Sequence, residues 1–140
     1  MTTASLTTAS SSRLGAFVRY GAAFVAGFAT VAVLSMATDA VLHATGIYPT
    51  DGSVGSDANL ALALAYRTAF TVLGGYIAAW LAPANKLRLS AILGIVGTLA
   101  AIAGAVAMWS VGHNWYPVAL AALALPSTIL GGWLFTRASR

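Results

Sequence analysis

Four long apolar stretches, separated by short breaks of turn-forming residues, constrain this chain more than any other feature. They run from about Phe17 to Thr45, Ala58 to Leu81, Leu87 to Val111 and Pro117 to Phe135. A helix needs roughly 20 apolar residues to cross a hydrocarbon core of about 30 Å, and every stretch meets that length. The first exceeds it and has residues to spare for tilting or protruding. The breaks, Gly46-Ile47-Tyr48-Pro49-Thr50-Asp51-Gly52, Ala82-Pro83-Ala84-Asn85 and Gly112-His113-Asn114-Trp115-Tyr116-Pro117, are rich in residues that reverse a chain. The expectation is an all-α integral membrane four-helix bundle made of two helical hairpins. Composition points the same way, with 7% of residues charged and 59% hydrophobic. A soluble domain carries about a quarter of its residues charged, so this chain has too few polar groups to cover a water-facing surface.

Residues 1–12 are rich in Ser, Thr and Ala without apolar periodicity and read as a flexible N-terminal tail. Their acid-free composition faintly resembles an organellar transit peptide. Residues 13–140 form one four-helix transmembrane domain. The first stretch far exceeds the roughly 7–15 apolar residues of a cleaved signal. Orientation follows from the basic residues. Arg13 and Arg19 flank the first stretch, Lys86 and Arg88 lie between the second and third, and Arg137 and Arg140 follow the fourth, while the other two loops have neither Lys nor Arg. The positive-inside rule then places both termini and the Asn85 loop in the cytoplasm and the Tyr48 and His113 loops outside. Tyr20, Trp80 and Trp133 fall near inner ends and Tyr48, Trp109, Trp115 and Tyr116 near outer ends, as an interfacial aromatic belt requires. The net charge of +4 comes from singly scattered cations, with no basic run to grip nucleic acid. The absence of cysteine excludes disulfides and thiolate chemistry.

Thr71-Val72-Leu73-Gly74-Gly75-Tyr76-Ile77 recurs as Thr128-Ile129-Leu130-Gly131-Gly132-Trp133-Leu134, each copy downstream of a Tyr-Pro pair, Tyr48-Pro49 and Tyr116-Pro117. Two hairpins of like orientation, about residues 13–82 and 87–136, are expected as a parallel (2+2) repeat about an axis along the membrane normal. Chance similarity in an Ala-, Leu- and Gly-rich chain is the competing explanation. Glycine weakens a helix in water by about 1 kcal/mol relative to alanine, but in lipid it lets backbones approach. Gly74, Gly75, Gly131 and Gly132, together with Gly97 and Gly104 four residues from Ala101 and Ala100, are therefore read as helix-packing positions.

Two charged residues lie well inside apolar sequence, Asp39 in the first stretch and Arg67 in the second. At a helix centre such residues cost about 2.5–3.5 kcal/mol on insertion scales, so they are expected to pair or reach water. Asp39 and His43 share a helix face at i and i+4, Ser35 and Thr38 lie nearby, and Tyr66 and Thr68 flank Arg67. Asp39, His43, Arg67 and Tyr66 are thus the candidate intramembrane polar site. It can be a proton relay, a seat for an anionic headgroup or carboxylate, or a device that locks the hairpin. Asp39 and His43 offer two metal ligands on one helix and His113 lies in a distant loop, so no metal or haem is expected. Phosphate-cradling loops, dinucleotide fingerprints, nucleophile elbows, paired carboxylates and calcium loops are absent, so neither catalytic residues nor cofactors are expected and the chain is read as no enzyme.

Tyr66-Arg67, Leu73-Gly74-Gly75, Ala82-Pro83, Trp115-Tyr116-Pro117 and Pro126 together resemble small four-helix bacterial inner-membrane proteins of uncharacterised function. The resemblance spans the chain from the first stretch onward and implies a multi-pass protein of the bacterial inner membrane, without a reaction. Small multidrug transporters are similar in size but are marked by a glutamate in the first helix, which no stretch here contains. The leading functional expectation is a structural or interaction role, as an accessory subunit or helix-packing partner of a membrane complex or of itself, with membrane lipids as further partners. The alternative is a small solute or ion transporter or channel using Asp39, His43 and Arg67, and the third is a lipid-binding protein using Arg67 and the outer aromatics.

Overall fold

The computed structural model describes residues 2–140, with side chains from Ser10 onward. Its elements are α1 (Thr2–Ala44), α2 (Asp57–Leu81), α3 (Lys86–Ala107) and α4 (Trp115–Ala138), with a 3-10 turn over Trp109–Val111, and there is no strand among the described residues. All four α-helices are long and apolar enough to cross a membrane, α1 over Ser10–Ala44. Of the segment read as a flexible tail, Met1 lies outside the described residues and the backbone from Thr2 onward is helix continuous with α1. Ser and Thr are weak helix formers, but extending an existing helix avoids the cost of a nucleus.

Local chemistry sets the helix ends. The Ser56 side chain accepts the Asn59 amide at 3.3 Å and caps α2. Ala82, extended as a residue before proline prefers, ends it. Asn85 turns the chain in the left-handed region, and Lys86 folds back to donate to the carbonyls of Ala79 and Ala82, both at 3.0 Å. Those carbonyls lack partners within α2, so the lysine closes the hairpin. The third stretch, expected to run to Val111, leaves α-helical geometry after Ala107, tightens into the 3-10 turn and reverses through Gly112 and His113, both at positive φ. The next helix begins at Trp115, ahead of Pro117, whose missing N–H is harmless in a first turn.

The packing is tight at the Asn85 end and loose at the other. α2 is central, antiparallel to α1 and side by side with α4 in the same direction, from the Asp57–Trp115 hydrogen bond at one end to the Tyr76–Phe135 ring contact of 5.2 Å at the other. α3 lies along α4; α1 meets α3 only briefly and, among the described residues, does not reach α4. Near the Asn85 loop, Ala23, Ala78, Ala82, Leu89 and Leu93 form a core flanked by Tyr20 and Phe24.

Glycines make the approach possible. A Cβ on Gly27 would lie 2.8 Å from the Gly74 carbonyl oxygen, and one on Gly74 would lie 2.8 Å from that of Gly27. A Cβ on Gly75 would strike the Thr128 backbone, one on Gly131 the Val72 carbonyl, and one on Gly132 the Ser90 side chain. Ser90, fully buried, donates to the Gly75 carbonyl at 2.9 Å. The repeated pairs thus sit on different neighbours: Gly74 on α1 and Gly75 on α4, but Gly131 on α2 and Gly132 on α3. Gly97 is looser, with Ala124 at 3.9 Å from its added Cβ. The packing expectation for Gly104 needs correction, because this residue is exposed and nothing lies within 4 Å of an added Cβ. At that level the next residue, Ala105, is the one that is buried. Gly27 and Gly94, not singled out by sequence, make close approaches instead.

Candidate functional site

The divergence of the helices exposes a polar cluster between α1 and α2. Arg67 donates through Nη2 to Asp39 Oδ2 at 2.5 Å, and the Tyr66 hydroxyl donates to Asp39 Oδ1. The arginine starts deeper than its partner. Arg67 is seven residues from the Gly74 crossing and Asp39 twelve from Gly27, an offset of roughly 7.5 Å at about 1.5 Å per residue. Side chains on a helix lean toward its N-terminus, so the long arginine stem of α2 extends toward the loop end and closes that gap. The Tyr48 hydroxyl lies within donating range of the Asn59 carbonyl (3.1 Å) and the Tyr66 hydroxyl (3.4 Å), linking the loop to the cluster. Both ion-pair side chains keep partial access to solvent space, 27% for Asp39 and 35% for Arg67.

His43 takes a different role from the relay its spacing allowed. Its Nδ1 lies 2.7 Å from the Asp39 backbone carbonyl, and the ring packs edge-on against Tyr48 at 5.3 Å. The imidazole bonds the peptide of its own helix rather than the Asp39 carboxylate. The structure therefore brings Asp39, Arg67 and Tyr66 together and leaves His43 at the margin. Among the described residues no three His, Cys, Asp or Glu side chains converge as a metal cluster would require.

Arg67 is the meeting point of three cavities. One, of about 340 Å³, is an apolar groove between α1 and the α3–α4 pair, lined by Phe28, Val31, Leu93, Ala100 and Ala124 and reaching Ser35, Asp39 and Arg67. A second, of about 310 Å³, lies between the loop ends of α2, α3 and α4. A third, of about 300 Å³, opens among Asp39, His43, Tyr48, Asn59 and Tyr116. In the groove, Thr71 and Thr128 spend their hydroxyls on helix carbonyls, Thr71 on Arg67 at 2.7 Å and Thr128 on Leu125 at 2.9 Å. Ser35 Oγ and Arg67 Nε, both buried, have no partner among the described residues.

At the mouth, Asp57 Oδ1 accepts from His113 Nδ1 at 2.8 Å and Trp115 Nε1 at 2.9 Å, tying the second long loop to the start of α2. Asp51, in the first long loop, is held below the usual carboxylate range by hydrogen bonds from Ser53, side chain first and backbone second. In the sequence Tyr48 and Tyr116 stood out as members of an aromatic belt and of the Tyr-Pro pairs, not as parts of the polar site. The structure turns Tyr48 inward, buried, and lines the third cavity with both. Their signal was the repeated Tyr-Pro pair, although the copies sit differently: Tyr48 follows the end of α1 and Tyr116 stands in the first turn of α4. No family model, curated protein or solved structure matches the chain, so the chemistry of this cluster has to be argued from its own geometry.

Proposed function

We propose that this chain is a multi-pass protein of a bacterial inner membrane, with both termini and the Asn85 loop cytoplasmic, that binds an amphipathic small molecule in the groove ending at Arg67. The orientation is supported by the Lys and Arg asymmetry of the loops. The parallel run of α2 and α4, which carry the two Leu-Gly-Gly segments, supports descent from a duplicated hairpin. The binding reading is carried by one observation. An apolar groove between α1 and α3 leads to an ion pair at one end and is closed at the other by contacts around Gly27, Gly74 and Leu93.

That closure weakens the transporter reading, because a through route would have to break the close Gly27–Gly74 backbone contact. The accessory-subunit reading loses support as well. Gly74, Gly75, Gly131 and Gly132 are buried within the chain, so they are not free to seat a partner helix. Extraction in mild neutral detergent followed by native mass spectrometry tests the proposal: a defined amphiphile should stay bound at one per chain. Bare chains of unchanged stability would refute it, and a larger protein in fixed stoichiometry would restore the accessory role.

A further inference from the structure

We infer that the groove selects a single-chain amphiphile with an oxyanion head, carboxylate or phosphate, the head seated on Arg67 and Ser35 and the chain lying between α1 and α3. The inference rests on the amphiphile reading above and adds the chemistry of the ligand.

The unspent polar groups at the groove's end include two donors, the Arg67 Nε–H and the Ser35 O–H. Arg67 commits Nη2 to Asp39, and its buried Nε–H has no partner. A guanidinium carries five N–H donors in a planar fork and can serve two oxyanions at once. The Ser35 hydroxyl lies one helical turn from Asp39 on the same face of α1 and is likewise unpartnered. Acceptor capacity is reduced, because each Asp39 oxygen already takes one hydrogen bond, one from Tyr66 and one from Arg67. A cationic head would have to share a carboxylate already paired with Arg67, whereas an oxyanion meets an unpartnered N–H and O–H. Asp39 then orients the guanidinium and is not itself a ligand group.

The groove sets the tail. From Asp39 to Phe28 it follows α1 for roughly 16 Å, taking about 1.5 Å per residue. Below Phe28 the Leu93 side chain closes on Gly27, lying 2.9 Å from where a Cβ there would sit. A volume near 340 Å³ is at the small end of ligand pockets, which span about 300–1,000 Å³, and suits one chain. The side open between α1 and α3 gives entry from lipid.

The test uses the full chain in phosphatidylcholine nanodiscs, with isotherms corrected against empty discs. Dodecyl phosphate and dodecanoate should bind about tenfold or more tightly than dodecanol and dodecylamine, because only the oxyanions form charge-assisted bonds to Arg67. Octyl phosphate should bind more weakly than dodecyl phosphate, and octadecyl phosphate should gain nothing further. Arg67→Gln should erase the head preference. Because it also strips Asp39 of its partner and endangers folding, two variants that keep the ion pair carry the same test. Ser35→Ala should weaken the oxyanions alone, and Ala100→Trp, a change at an exposed groove wall, should abolish the dependence on chain length. Equal binding of all dodecyl compounds would overturn the oxyanion inference and leave the amphiphile reading standing. No binding above empty discs would overturn both. Inorganic phosphate binding as tightly as dodecyl phosphate would overturn the role given to the chain.

Discussion

Asp39 and Arg67 are expensive side chains that each become tolerable through the other. Removing one leaves an uncompensated charge in low dielectric, whereas removing both leaves none. Breaking a fully buried pair costs about 3–5 kcal/mol; with a quarter to a third of each side chain exposed here, about 1–3 kcal/mol is expected after screening. Asp39→Asn and Arg67→Gln should each destabilise the chain by that amount, and the double variant by less than their sum, measured by reversible unfolding in mixed micelles. Strictly additive losses would mean the pair contributes nothing jointly. Tyr66→Phe, which deletes a donor to a carboxylate, should cost about 1.5–3 kcal/mol before the same discount for exposure. The ion pair was legible in the sequence because two charges stand out against an apolar background and must find partners. His43 lines the third cavity with Asp39, but i,i+4 spacing fixes a face and not what the side chain bonds, and a helix carbonyl lay nearer. Ser35 was noted only as a neighbour of Asp39; that its hydroxyl is unspent depends on tertiary packing.

Between helices, the decisive quantity is backbone separation. A leucine at Gly131 would meet the Val72 carbonyl and Tyr76 amide, and one at Gly74 would meet the Val31 side chain and the Gly27 carbonyl. Backbone cannot move aside as a side-chain tip can, so Gly74→Leu and Gly131→Leu should prevent accumulation of folded chain in the membrane fraction. Gly104→Leu, facing open space, should stay within about 0.5 kcal/mol of the parent, as surface changes usually do. A folded Gly131→Leu protein with unchanged stability would contradict the α2–α4 crossing. The existence of small-residue contacts was legible from glycine pairs inside apolar stretches. Which glycines are used was not, because Gly27 and Gly94 look like Gly104 until the helices are placed in azimuth. The 3-10 turn after Ala107 was hidden for a related reason, since Trp109 and Val111 are apolar enough to continue a span on paper.

For the whole molecule, hydropathy alone gave four helices, but their arrangement was beyond it. Each helix carries apolar residues on all sides, so no stripe marks which face meets a neighbour. The topology is tested by introduced cysteines: Ser53→Cys and Asn114→Cys should react with an impermeant thiol reagent added outside sealed cells, and Asn85→Cys should not. Labelling at position 85 would invert the assignment and turn the groove's mouth toward the cytoplasm. The helices also differ in length. α3 has 22 residues and spans roughly 33 Å, close to the thickness of a hydrocarbon core of about 30 Å. The apolar part of α1, from Phe17 to Ala44, is roughly 42 Å long, and a tilt of about 40° brings it to some 32 Å along the normal. If the chain inserts as proposed, α3 would match the hydrocarbon core nearly upright, whereas α1 would have to tilt steeply to fit the same thickness. A change in lipid thickness would then act first on the tilt of α1, the groove wall that, among the described residues, has no contact with α4.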